Sequence, residues 1–138
     1  SQYGAHYLAA FNVFLDNFYF GAGLKKFRDL CHNYADINSL SAQSRCSTHP
    51  HNLHLEILSE FGLIGYFLFL ILIIYIFKIF ILSGNISNFA FLLIFSLILA
   101  KFFPFLPSGS FFSSLNSTYY WLTFSIFYLI KHLQDIKK

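Results

Sequence analysis

The sequence predicts an all-α protein built from membrane helices. Hydrophobic residues make up 57% of the 138 positions and charged residues only 11%, where a soluble domain carries about 25% charge. Three apolar stretches, 62–82, 89–103 and 119–130, are separated by turn chemistry: SGNISN at 83–88, and Pro104 with PSGS at 107–110. The net charge is a modest +3, and no basic run with interleaved aromatics marks a nucleic-acid surface. Ser1 is not an initiator methionine, and no charged region with a cleavage site precedes the first apolar run. The expectation is a C-terminal piece of a longer polytopic protein.

Residues 1–20 place Tyr7, Ala10, Phe11, Phe14, Leu15 and Phe18 at helical spacing, with Gln2, His6, Asn12 and Asp16 mostly off that stripe. The segment is short and polar for a span, so it reads as an interfacial helix or the end of a span, closed by Gly21 and Gly23. Residues 24–47 are polar and loop-like. Cys31 and Cys46 lie there, fifteen positions apart. They are either two free thiols or a bridge, which would stabilise the segment by about 3 kcal/mol.

A helix is expected from Pro50, capped by Thr48 or His49. On a helical wheel His51, Leu55, Leu58, Gly62 and Gly65 share one face, and Glu56 and Glu60 lie roughly opposite. The glutamates read as solvated, or paired with basic residues of the preceding loop. Glycines at 62 and 65 permit close approach of lipid or another helix.

The first span follows at 62–82, with Lys78 snorkelling to the interface. The second is 89–103, with Lys101 near its far end; the third is 119–130. Residues 111–118 re-enter or return between them. Phe111, Phe112, Tyr119, Tyr120 and Trp121 read as an interfacial aromatic belt. Lysines at the C-terminal end place that tail in the cytoplasm. Counting back three spans puts 1–61 outside, as a unit of amphipathic helix, cysteine loop and histidine-bearing helix, and 62–138 in the membrane. The basic residues at 25, 26, 28 and 45 pull against this orientation; the cysteine pair favours it, because disulfides persist in the periplasm.

The chemistry-bearing candidates cluster at the outer boundary. An unperturbed imidazole changes charge near neutrality, which makes His51 a candidate base. Arg28 offers a permanently charged, bidentate phosphate grip. Lys101 is either a phosphate contact or an interface lysine. His49, His51 and His54 with Glu56 lack the His-Glu-x-x-His spacing, so neither a metal nor a cofactor is expected.

His51-Asn52, nine residues, then Gly62-Leu63-Ile64-Gly65 resembles the signature of the O-antigen ligase family, which also holds O-antigen polymerases and protein O-oligosaccharyltransferases. Gly21-Ala22-Gly23-Leu24 with Phe27-Arg28, the Cys31/Cys46 pair and FPFLPSGSFF at 103–112 resemble it in the same order. The resemblance implies a larger GT-C-like membrane glycosyltransferase of the bacterial inner membrane. Its donor would be a polyprenyl-diphosphate-linked glycan and its acceptor a lipid A–core or glycan hydroxyl at the periplasmic face, with membrane lipids as surroundings. It implies His51 and Arg28 as catalytic residues, Asn52, Lys101, Gly62 and Gly65 as substrate-binding, and metal-independent transfer. A non-catalytic lipid-glycan binding or transport subunit is the rival class. The internal repeat expected of a transporter is not visible in the sequence.

Overall fold

The computed structural model describes residues 2–34, 46–83 and 89–136. These form five helices and no strand: α1 (Gln2–Asp16), α2 (Phe27–Tyr34), α3 (Leu53–Ser83), α4 (Phe89–Phe102) and α5 (Ser114–Ile136). Turn residues 84–88 and the terminal Lys137 and Lys138 lie outside the described residues, as do 35–45 with Asp36 and Arg45.

Two apolar clusters organise the chain. In the first, Ala9, Ala10 and Val13 of α1 pack on Phe27 and Cys31 of α2. The small side chains let α2 lie close, so the buried stripe of α1 is His6, Ala9, Ala10, Val13 and Phe14. Phe11 and Leu15, on the apolar stripe read from the sequence, are exposed, and His6, expected off that stripe, is buried. The expected loop after residue 24 contains α2, whose ends are tied down: Cys31 is bridged to Cys46 with Cα atoms 5.7 Å apart, and the Tyr34 hydroxyl donates to Asp16. The second cluster joins Leu53, Ile57, Phe69 and Ile76 of α3 to Ile98 and Phe102 of α4 and Tyr120 and Phe127 of α5.

α3 starts at Leu53 rather than Pro50, because Asn52 takes the cap: its Oδ1 accepts from the Leu55 amide at 3.1 Å. His51 therefore precedes the helix, at φ 57°, instead of sharing its face with Gly62 and Gly65. One helix among the described residues is long and apolar enough to cross a membrane, over Leu53–Ile79; Leu92–Phe102 is apolar but shorter.

That long helix is broken at Gly62 (φ 66°, ψ −166°). In an unbroken helix the Leu63 and Ile64 amides would bond the carbonyls of Ser59 and Glu60. Here the turn after α1 is inserted into the ladder. Ser59 and Glu60 carbonyls accept instead from the Ala22 and Gly23 amides, both at 2.9 Å, while Leu63 and Ile64 donate to Phe18 and Tyr19 carbonyls at 2.8 and 3.2 Å. All four groups of α3 named here find partners in the turn, so none is left orphaned. The two backbones touch at glycines: a Cβ on Gly21 would lie 2.3 Å from the Glu60 carbonyl carbon, and one on Gly62 would lie 2.4 Å from the Gly21 nitrogen. The close approach expected at Gly62 is thus filled by this chain's own backbone.

The segment between α4 and α5 folds back onto the start of α3. Asn52 Nδ2 donates to the Pro104 carbonyl at 2.7 Å, the Ser108 amide to the His51 carbonyl at 2.9 Å, and His54 Nε2 lies 2.9 Å from the Phe102 carbonyl. Helix α5 begins at Ser114, so the second half of the expected re-entrant stretch is its first turn. The expected aromatic belt is split: Tyr120 is buried, Phe111 packs on it at 4.8 Å, and Phe112 packs on Phe61 at 5.2 Å. Tyr119 and Trp121 stay exposed.

Candidate functional site

Three pieces meet at the head of α3: the α1–α2 turn, residues 46–52, and the α4–α5 connection. Between them lies a cavity of about 170 Å³ lined by Lys25, Arg28, Thr48, Ser110 and Ser113. Lys25 is held at φ 59° directly after the turn that enters the α3 break, and Arg28 follows in the first turn of α2. The break therefore also delivers two cations to one wall. Arg28 Nε is 3.9 Å from Asp29, and Lys26 is 3.3 Å from the same carboxylate. These side chains are more than half exposed, so the pairs are weak and leave the guanidinium available.

Of the two expectations for the glutamates, solvation is overturned, and the influence of basic residues from the preceding loop holds for Glu60. Glu56 and Glu60 are each only 2% exposed, because the chain segments docked on α3 cover their face. Glu56 accepts from the Ser110 hydroxyl and from the Phe111 amide at 2.8 Å. Glu60 sits beside the cationic wall, acted on by the Lys25 backbone amide and the charges of Lys25 and Arg28. One of its oxygens has no hydrogen-bond partner among the described residues.

His51 belongs to an aromatic group at the other edge. Its ring centre is 4.2 Å from that of His49, 5.4 Å from His6 and 5.5 Å from Tyr3, and its Nε2 is 3.1 Å from the Ser47 hydroxyl. Thr48 Oγ1, on the cavity wall, lies 3.1 Å from His49 Nδ1 and links the two regions. Burial, then the neighbouring His51, hold His49 below the usual histidine pKa, with a hydrogen bond from its ring to the Ser108 backbone carbonyl opposing them. His54 faces away, 3.0 Å from the Tyr66 hydroxyl. Among the described residues no three His, Cys, Asp or Glu side chains are grouped to hold a metal ion.

The structure thus brings Arg28 to the cavity, with His51 and Asn52 on the adjoining segment. Gly62 lies below, at the break, and Gly65 continues the helix, where a Cβ would meet Phe61 Cβ at 2.3 Å. Lys101 does not line the cavity; its ammonium sits 4.9 Å from the centre of the Tyr119 ring. Sequence reasoning missed Lys25, Thr48, Ser110 and Ser113. The available signal is the hydroxyl-rich turn at 107–110, which the sequence offers as a helix stop and as part of the 103–112 resemblance without pointing to any one serine.

The site combines a fixed pair of cations, hydroxyl groups and nearby imidazoles above an apolar helix. Such a set suits a ligand with an anionic group, a polar body and a lipid tail. A comparison with known protein families matches residues 2–70 to O-antigen ligase, spanning α1, α2 and the break in α3. No curated protein and no solved structure matches the chain.

Proposed function

Because the chain belongs to the O-antigen ligase family, we propose that it transfers a glycan from a polyprenyl diphosphate to a lipid A–core sugar hydroxyl at the periplasmic face of the inner membrane. The observation that carries this reading is the cavity that groups Lys25 and Arg28 with Thr48, whose neighbour His49 packs on His51, at the head of the apolar helix α3.

In this reading the acceptor hydroxyl oxygen attacks the sugar C1 as the bond from C1 to the phosphate oxygen breaks. The leaving lipid diphosphate keeps the electron pair. Lys25 and Arg28 stabilise the charge it gains, the kind of contribution worth about 10²- to 10³-fold per group. His51 takes the acceptor proton, a contribution of roughly 10²- to 10⁴-fold. Asn52 sets the site's geometry by capping α3 and gripping the Pro104 carbonyl. Gly62 admits the turn that carries Lys25, and Gly65 leaves room for the Phe61 side chain below it. Lys101 is assigned to the membrane interface.

The three-span arrangement with residues 1–61 outside is part of the same proposal. The Cys31–Cys46 bridge supports an oxidising exterior. α5 supports lipid contact: its exposed Thr118, Thr123 and Ser125 hydroxyls each donate to the carbonyl four residues earlier, at 2.8 Å, so none needs water.

The test is transfer of lipid-diphosphate-linked glycan to lipid A–core by the full-length protein in membranes, wild type against His51→Ala, at matched expression and donor binding. Collapse of transfer with donor binding intact is expected. Unchanged transfer assigns His51 a structural role. Wild-type protein that lengthens the glycan without forming a lipid A–core product is a polymerase instead.

A further inference from the structure

We propose that the Ser110–Ser113 wall of the cavity is a sugar subsite that recognises proton-donating groups of the donor's first sugar, with Glu56 as its positioning residue. This rests on the transfer reading above and goes beyond it, by dividing the cavity into a phosphate side and a sugar side.

The argument is one of hydrogen-bond polarity. A serine hydroxyl has one proton and two lone pairs. The Ser110 proton is committed to the Glu56 carboxylate. The Ser113 proton is committed to the Ser110 carbonyl at 2.9 Å, an acceptor that has no proton of its own to give. Ser113 Oγ also lies 3.4 Å from the Asn116 amide at the start of α5, which uses one lone pair. Both hydroxyls therefore face the cavity as acceptors. A phosphate oxygen is also an acceptor and gains nothing there, and the carboxylate behind Ser110 repels it. Sugar hydroxyls, or the N–H of an acetamido sugar, supply the missing donors. The opposite wall has the reverse polarity: Lys25 and Arg28 carry donors and positive charge. A sugar diphosphate has one orientation that satisfies both walls, with phosphates on α2 and the sugar on the α4–α5 connection.

Glu56 makes this wall what it is. Its second oxygen takes the Phe111 amide, so one buried carboxylate fixes both the backbone and the hydroxyl direction at Ser110. In Glu56→Gln the amide group donates where the carboxylate accepted. The Ser110 hydroxyl then turns, and its proton points into the cavity.

The experiment measures binding to the full-length protein of two probes: polyprenyl-diphosphate-linked glycan and the sugar-free polyprenyl diphosphate. Ser110→Ala is expected to weaken the glycan-bearing probe about three- to tenfold, the worth of one or two neutral hydrogen bonds, and to leave the sugar-free probe within twofold. Glu56→Gln should do the same, and the double variant should lose no more than the worse single one. Arg28→Ala should weaken both probes alike. Equal weakening of both probes by Ser110→Ala, or of neither, overturns the subsite; so does independent, multiplying loss in the double variant. Should Glu56→Gln fail to accumulate, Ser110→Ala decides by the same comparison. Because binding is read without turnover, a wild type that transfers no glycan refutes the proposed reaction separately.

Discussion

Replacing Gly62 with alanine tests the inserted turn most directly. The new Cβ would lie 2.4 Å from the Gly21 nitrogen and 2.6 Å from the Tyr19 carbonyl atoms. These are backbone atoms and cannot swing aside. The residue would also have to hold φ 66° with ψ −166°, a conformation open essentially only to glycine that costs an L-residue about 1–3 kcal/mol. Relief comes from expelling the turn, which forfeits four inter-segment backbone bonds, each worth about 0.5–1.5 kcal/mol net. Straightening α3 restores helical partners to Leu63 and Ile64, but the Ala22 and Gly23 amides are left without theirs. Local opening at those two amides should become easier by about 3 kcal/mol, near a hundredfold. Hydrogen exchange on the detergent-solubilised protein reads this directly. Gly23→Ala is the control: it shares positive φ (103°), but its Cβ would meet only Lys26 Cγ at 3.5 Å, so it should cost only the conformational part. Unchanged protection of Ala22 and Gly23 in Gly62→Ala, or equal loss in both variants, refutes the interlock.

Asn52→Ala removes both the cap on Leu55 and the grip on Pro104. It should destabilise by about 1–2 kcal/mol from the cap alone, seen as a lower thermal midpoint in detergent, with the 104–108 amides exchanging faster. Cys46→Ser should lower stability by about 3 kcal/mol, measured by denaturant midpoint; in denaturant a thiol probe should label the buried Cys31 of that variant and not the oxidised wild type. His49 is held below the usual histidine range, so the unfolded chain takes up the proton first as pH falls below about 6.5. Its contribution therefore makes stability rise with pH through the window just below that value. The thermal midpoint should climb between pH 5 and 7, less steeply in His49→Asn, and an unaltered slope in that variant would refute the assignment to His49.

The helical class, the long apolar run and the His-Asn and Gly-x-x-Gly spacing were legible because each is a local pattern. What was not legible depends on segments distant in sequence. A helical wheel assigns Glu56 to solvent; only the return of Ser110 and Phe111, more than fifty residues later, buries it. Gly62 was read as a place for close approach, and it is one. That the visitor is the chain itself could be learned only by locating the Ala22 and Gly23 amides. The cap was misplaced for a more local reason. Thr48 and His49 pair with each other at 3.1 Å, and Asn52, with an oxygen to accept and an amide to donate, does two jobs at once. The cavity's serines escaped because Pro-Ser-Gly-Ser is good turn chemistry, which says nothing about which way a hydroxyl points.

The break in α3 also acts as a depth gauge. Its bonded groups sit where two backbones meet, and from there the helix runs through residues 63–83, about 31 Å at 1.5 Å per residue. That equals the hydrocarbon thickness of about 30 Å, so lengthening or shortening this limb would raise or sink the cationic wall relative to the bilayer surface. On the proposed transfer reading, the donor's lipid tether fixes how high its phosphate sits, and the limb below Gly62 sets the height at which Lys25 and Arg28 meet it.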